Sequence, residues 1–330
     1  MFYCEIIFSL LFITVQFIGI NSENGFKKEI LISCVSNKTA KEFNNFHLKY
    51  DPTMATHDFK FEDGEMDKLK ELIGKNDKII FFFVGHEDFL NKFAGRSFII
   101  AKHEMISTKA TTCTISYEYL CGPGICKQIQ YFSAVENRVP NVVDMATSFI
   151  QNIVDSKEFK IKLASVYLNG YCLGGHIAGN VGHALKKIYN GQMVSAIWAY
   201  DPPRFAFPHP SVEGEPRRVQ KGDGKFVVVF HSSQIGVQDN IADVDVILNG
   251  AKNQPGLNKP KIGVLFDHFA AFLLREFIIL RSKEIEKNER GFPFAVKLNQ
   301  SDQFSLELTN PPSNKSGEYH INTGAIFDFK

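Results

Sequence analysis

The stretch LASVYLNGYCLGGHIAG, residues 163–179, decides the fold. Leu163 to Leu168 is a short apolar run containing Val and Tyr, which reads as a buried strand. From Leu173 onward Ile177, Val181, Leu185 and Ile188 keep the spacing of an apolar helix stripe. Between the two, Gly170 and Gly174 flank Cys172 in the pattern GxCxG. A strand that turns directly into a helix strains its central residue, and glycines on both sides relieve the crowding of backbone against backbone. Gly174, Gly175, Ala178 and Gly179 let the helix lie close on a sheet. The free N–H groups and positive dipole end of that helix then point at Cys172 and favour any negative charge forming there. Such an elbow presents a nucleophile. A Gly-rich turn around a buried cysteine is the alternative that the motif alone leaves open.

The residues downstream favour the elbow by their order. Val194 to Tyr200 (VSAIWAY) is another buried-strand pattern and runs into Asp201, Pro202 and Pro203. A carboxylate is thereby placed at the C-terminal end of a strand, where open α/β sheets carry their sites. Asp267 and His268 precede the helical stretch AAFLLREFIIL, so the imidazole is expected at a loop-to-helix junction. Nucleophile, acid and histidine in this order are the signature of an α/β hydrolase. Simpler roles stay open for two of the three: Asp201 as a turn cap before Pro202, and His268 as an ordinary residue at a helix start.

The chain resembles the animal, pancreatic-type lipase family, and most of all its insect branch of wasp-venom phospholipases A1 and fly yolk proteins. The resemblance rests on segments in fixed order. GYCLGGHIAG (Gly170 to Gly179) is similar to the family elbow GHSLGAHVAG, with Cys172 where the family has serine. KIIFFFVGHEDF (Lys78 to Phe89) resembles the strand FIIHGF, and YFSAVENRVPNV (Tyr131 to Val142) the segment leading to the helix before the elbow. KFVVVFHSS (Lys225 to Ser233) resembles the strand ending in IHT, DVILNGAKNQPG (Asp245 to Gly256) the segment DFYPNGGKNQPG, and GEYHINT (Gly317 to Thr323) the closing strand. The resemblance implies an α/β-hydrolase fold: a central, mostly parallel sheet with helices on both faces, and no C-terminal β-sandwich domain, because too little chain follows His268.

Position by position, it implies Cys172 as nucleophile, Asp201 as the acid that orients the base, and His268 as general base. The oxyanion hole falls to two backbone N–H groups, those of Leu173 and His86. Val84 stands where the family has a bracing histidine, so the oxyanion loop has lost that support. His86, His176 and His231 are read as structural through their side chains. The family's lid matches Leu257 to Phe266, LNKPKIGVLF, which is short and lacks the disulfide that usually closes it. A short lid is similar to the phospholipase A1 branch and implies an open cleft.

A thiol beside an imidazole and a helix N-terminus can ionise at neutral pH, so nucleophilicity is not the obstacle. When a thiolate attacks an ordinary ester, however, the tetrahedral intermediate expels the thiolate in preference to the alkoxide. Sulfur is also larger than oxygen and displaces the oxyanion. Each effect removes one or a few powers of ten, at about 1.4 kcal/mol per tenfold. Two functions remain: a carboxylic-ester hydrolase of lipid-like substrates, phospholipase A1 or lipase in type, with reduced activity and a preference for activated esters or thioesters; or a catalytically impaired lipase-like protein that binds lipids, steroid conjugates or proteins.

With 330 residues, 44% of them hydrophobic, the chain can bury one large α/β core, and a single domain is expected over residues 23–330. A formal net charge of +1, with both signs mixed along the chain, does not point to nucleic acid. The basic cluster Arg217, Arg218, Lys221 and Lys225 reads as a solvated loop. The expected partner is a lipid or acyl-ester ligand, with peripheral contact with lipid surfaces left open; no cofactor and no metal are expected, and oligomeric state is unknown.

Residues 1–22 read as a signal peptide. Ile6 to Ile20 is apolar apart from Ser9, Thr14 and Gln16, although Glu5 and the lack of Lys or Arg make a poor n-region and leave an uncleaved anchor as the alternative. Sequons at Asn37, Asn299 and Asn314 suit a secreted, extracellular glycoprotein. Of the six cysteines, Cys4 leaves with the signal and an odd number remains. The preferred pairing is Cys34 with Cys113 and Cys121 with Cys126, which leaves Cys172 free. A mispaired or capped Cys172 is the alternative.

Overall fold

The computed structural model describes residues 29–37, 41–49, 64–86, 94–117, 130–207, 217–255, 263–282, 295–298 and 301–324. The signal segment, Cys121, Cys126, Asn299 and Leu257 lie outside them. Eleven strands form one sheet: β1 (Glu29–Val35), β2 (Asn44–Lys49), β3 (Ile79–Phe83), β4 (Thr111–Ser116), β5 (Val166–Tyr171), β6 (Ala196–Tyr200), β7 (Val227–His231), β8 (Val244–Leu248), β9 (Ala295–Val296), β10 (Gln303–Phe304) and β11 (Gly317–Ile321). Their spatial order is β10-β9-β11-β8-β7-β6-β5-β3-β4-β1-β2. The seven strands from β11 to β4 run parallel, and antiparallel strands close both edges. This is the α/β-hydrolase fold expected from the chain order.

Burial follows from position in the sheet. IIFFF of β3, AIWAY of β6 and VVVFH of β7 are buried throughout, as strands covered on both faces must be. The edge strand β2 alternates instead, with Phe46 and Leu48 buried and Asn45 and His47 more open to solvent. Six helices are described: α1 (Glu65–Ile73), α2 (Ala94–Thr108), α3 (Gln130–Asn137), α4 (Val139–Asp155), α5 (Leu173–Ile188) and α6 (Gly263–Leu280). Phe81 meets Phe149 of α4 on one face, where α4 also packs on α5. Phe82, its neighbour in β3, points to the opposite face and meets Phe272 of α6, which packs on α2.

The predicted Cys34–Cys113 disulfide is present and joins directly opposed residues of β1 and β4, leaving Cys172 free. Asn37 and Asn314 are exposed.

Three expectations are corrected. The strand entering the elbow begins at Val166 and continues through Tyr171, while Leu163–Ser165 is a 3-10 turn closed by the Ser165 hydroxyl on the Lys162 carbonyl. His268 lies inside α6 and not at its start, because Gly263 to Phe266, read as lid, already form helix. Arg217 and Arg218 are not solvated: their side chains are 14% and 11% exposed and pair with Asp223 and Asp239. Lys221 and Lys225 are exposed as expected.

Candidate active site

Cys172 sits between β5 and α5 with φ 54° and ψ −127°, a left-handed conformation that costs a non-glycine residue about 1–3 kcal/mol. Its N–H donates to the Tyr200 carbonyl at 2.9 Å, and its carbonyl accepts from Gly175 N–H at 3.0 Å. The flanking glycines are required by space. A Cβ on Gly170 would stand 2.0 Å from the Gly174 carbonyl oxygen, and one on Gly174 would stand 2.2 Å from that of Phe83. The elbow is thus held by main chain on three sides, and its strain is offset by the packing of α5 on β3, β5 and β6.

The other two predicted members meet each other. His268 Nδ1 lies 2.6 Å from Asp201 Oδ2, with both side chains buried. On the far side of the ring, the buried Nε2 has no hydrogen-bond partner, and Cys172 acts on the ring through its charge. Burial works to lower the pKa of this imidazole, but charge on Cys172 and the hydrogen bond and charge of Asp201 outweigh it and raise the pKa to about 10. Tyr171 lies against the His268 ring with centroids 5.1 Å apart. With Phe269 and Phe272 it forms an apolar wall beside the histidine.

The carboxylate of Asp201 is fixed by groups to which the sequence reading assigned no role. Ser232 N–H donates to its Oδ1 at 2.8 Å and the Ser233 hydroxyl donates to its Oδ2 at 2.5 Å. Gln254 ties the next layer together, its side chain donating to the Ser232 and Leu248 carbonyls while its N–H donates to Asp267 beside His268. These serines and the glutamine stand in the segments KFVVVFHSS and KNQPG. Their partners are distant in sequence, so spacing carried no sign of the contacts.

Leu173 is the first residue of α5, where helix N–H groups have no intrahelical partner. Gly85, the residue before His86, lies so near the nucleophile that a Cβ there would stand 3.3 Å from the Cys172 Cβ. The bracing that Val84 was expected to lack comes from elsewhere: the buried Tyr117 hydroxyl donates to the Val84 carbonyl. The His86 ring packs edge-on against Tyr131, 5.3 Å between centroids. Burial and the charge on Cys172 raise the Tyr131 phenol well above its ordinary value.

His176 is structural, as expected. Its Nε2–H donates to the Pro203 carbonyl at 2.8 Å and its Nδ1 accepts the Val219 N–H at 3.1 Å, so a second proton has no place. Burial is the main cause that lowers its pKa to about 3. A depressed pKa contributes stability that is complete above the unfolded value of 6.5 and is lost as pH falls toward about 3. The stability difference between the parent and His176→Gln, from urea unfolding, should therefore shrink by up to about 1.4 kcal/mol per pH unit in that window. A pH-independent difference would contradict the assignment.

A strained strand-to-helix elbow, followed in order by a strand-end carboxylate and a histidine paired with it, sits on this α/β-hydrolase fold. Residues 124–270 match the family model described as lipase, a span that contains Cys172, Asp201 and His268. This part of the chain is similar to the lipase family. Phospholipase A1 member A of Rattus norvegicus is 32% identical over 128 residues, covering 38% of this chain and 25% of that protein. Phospholipase A1 of Vespula maculifrons is 26% identical over 155 residues, 47% of each chain. Lipase member H of Xenopus tropicalis is 33% identical over 135 residues, 40% of this chain and 26% of that protein. The chain thus spans from about a quarter to about half of the length of these relatives. Among solved structures, a Pyrobaculum calidifontis esterase aligns over 64% of this chain and 78% of its own, with 9% identity and a TM-score of 0.36. Among the described residues no helix is long and apolar enough to cross a membrane.

Proposed function

We propose that this chain is a secreted ester hydrolase of lipid-like acyl substrates in which Cys172 is the nucleophile, His268 the proton carrier and Asp201 its orienting acid. The observation that carries this reading is the His268–Asp201 pair beside a cysteine held in elbow geometry. With His268 protonated and Cys172 negative, the thiolate attacks the acyl carbon and the carbonyl electrons move to oxygen. The N–H groups of Leu173 and His86 are the proposed donors to that oxyanion. His268 Nε2–H passes its proton to the departing alkoxide or thiolate, leaving a thioester on Cys172. Neutral His268 then takes a proton from water, the hydroxide attacks the thioester, and the Cys172 thiolate leaves, restoring the ion pair. The aromatic wall of Tyr171, Phe269 and Phe272 supports an apolar acyl group. The buried Cys34–Cys113 disulfide and the apolar N-terminal segment support export.

A second reading, a lipase-like protein that binds lipids, steroid conjugates or proteins with little turnover, is favoured by the cysteine itself, since its thiolate leaves the tetrahedral intermediate more readily than an alkoxide does. Assay of the purified protein on an acyl thioester, a p-nitrophenyl ester and a phospholipid separates the two. Turnover of the thioester and activated ester in excess of the phospholipid supports the hydrolase. No turnover of any of the three supports the binding protein.

A further inference from the structure

Behind Asp201 lies a second buried histidine–carboxylate pair. His231 ends β7, and its side chain is 3% exposed. Its Nδ1 is 2.8 Å from the Val237 carbonyl oxygen, which can only accept, so Nδ1 carries a proton. Its Nε2 is 2.9 Å from Oδ1 of Asp245 on β8. That carboxylate also accepts the N–H of Ile241 on Oδ1 and of Ala242 on Oδ2, both at 3.1 Å. Main-chain donors aimed at both oxygens favour the ionised, acceptor-only form, which requires a proton on Nε2 as well. The donor and acceptor count therefore makes the ring an imidazolium.

Two consequences meet at Asp201. The Nδ1–Val237 bond closes residues 231–237 into a loop, and this loop carries the side-chain and main-chain donors that hold Asp201 opposite His268: Ser232 N–H, Ser233 N–H and the Ser233 hydroxyl. Its Gly236 is so close that a Cβ would stand 2.3 Å from Asp201 Oδ1. The charges also alternate, Asp245, His231, Asp201, His268 and Cys172, running from β8 through the ends of β7 and β6 to α6 and the elbow. Burial works to lower the pKa of His231, but Asp245, the Val237 carbonyl and Asp201 outweigh it and leave it raised.

We propose that His231 is a permanently charged imidazolium that fixes the place and charge of Asp201, and is a positioning residue for the Cys172–His268 pair. Its role in positioning rests on the proposed triad, whereas its charge state does not.

The test uses the full-length protein, labelled with nitrogen-15. Long-range proton–nitrogen spectra should show both His231 ring nitrogens protonated from about pH 5 to about pH 8, the range in which an ordinary histidine loses its charge. A singly protonated ring, or titration within that range, overturns the proposal. In folded His231→Gln, alkylation of Cys172 by iodoacetamide should slow about tenfold, and the downfield Nδ1 proton of His268 should weaken. Asp245→Asn should change both in the same direction and serves alone if His231→Gln does not fold. Parent-like alkylation together with an unchanged His268 signal overturns the positioning role. If the parent itself does not react with iodoacetamide, the His268 signal still decides.

Discussion

Changing Cys172 to alanine is expected to lower hydrolysis of thioesters and p-nitrophenyl esters by about a thousandfold or more, with KM for the residual reaction little changed. Loss of a nucleophile removes the covalent route altogether, and what persists is binding plus the oxyanion donors acting on water. Thermal stability should hold, because Cys172 is free and its left-handed backbone is imposed by Gly170, Gly174 and the Tyr200 carbonyl. Cys172→Ser gives the complementary result. Oxygen removes the bias toward expelling the nucleophile, so ordinary carboxylic esters should gain about tenfold or more while thioesters lose their advantage. A serine hydroxyl does not ionise in this range, so the Cys172 charge, the largest of the causes that raise the His268 pKa, is removed. The serine variant should therefore gain activity as His268 loses its proton with rising pH, which the parent should not. Identical pH profiles for the two proteins would contradict the ion-pair description.

Gly170→Ala is expected to cost more than about 4 kcal/mol, enough to prevent folding in a chain of ordinary stability. The added Cβ would stand 2.0 Å from the Gly174 oxygen, 2.2 Å from its carbonyl carbon and 2.6 Å from Gly175 nitrogen. All three are main-chain atoms of the elbow and of the first turn of α5, so no side chain can move aside. Relief would require lifting α5 off β5 and opening the core against β3 and β6. Gly324→Ala serves as the control, because a Cβ there meets nothing within 4 Å and its effect should stay within about 0.5 kcal/mol. Soluble yield and urea midpoints of the two variants provide the measurement. A folded Gly170→Ala within about 1 kcal/mol of the parent would show that the elbow is not packed as described.

Local sequence carries what local physics demands. Gly170 and Gly174 were legible because main chain passes where a Cβ would be, and glycine is the residue that permits it. Asp201 and His268 were legible as the end of a buried strand and the head of an apolar helical run, in a chain order that few folds use. Their supporting groups were not legible. Tyr117 reaches Val84 across 33 residues, Ser233 reaches Asp201 across 32, and nothing in the spacing of either pair announces a hydrogen bond. The start of α6 was not legible because Gly263 to Phe266 match the family's lid segment, whereas in this chain they form the first turn of the helix. Arg217 and Arg218 were misjudged for another reason: a charge run reads as solvated until its partners, here Asp223 and Asp239, are known.

The Cys172 sulfur is proposed to form a covalent acyl intermediate, and everything in the proposed mechanism turns on that bond. Intact-mass measurement after rapid mixing of the reduced protein with a p-nitrophenyl acyl ester, quenched in acid, tests it most directly. The expected result is a single added acyl group, mapped to the peptide containing Cys172, released by hydroxylamine and absent from Cys172→Ala. A parent protein that turns over the ester with no acyl mass on Cys172, or that acylates equally well as Cys172→Ala, would contradict it.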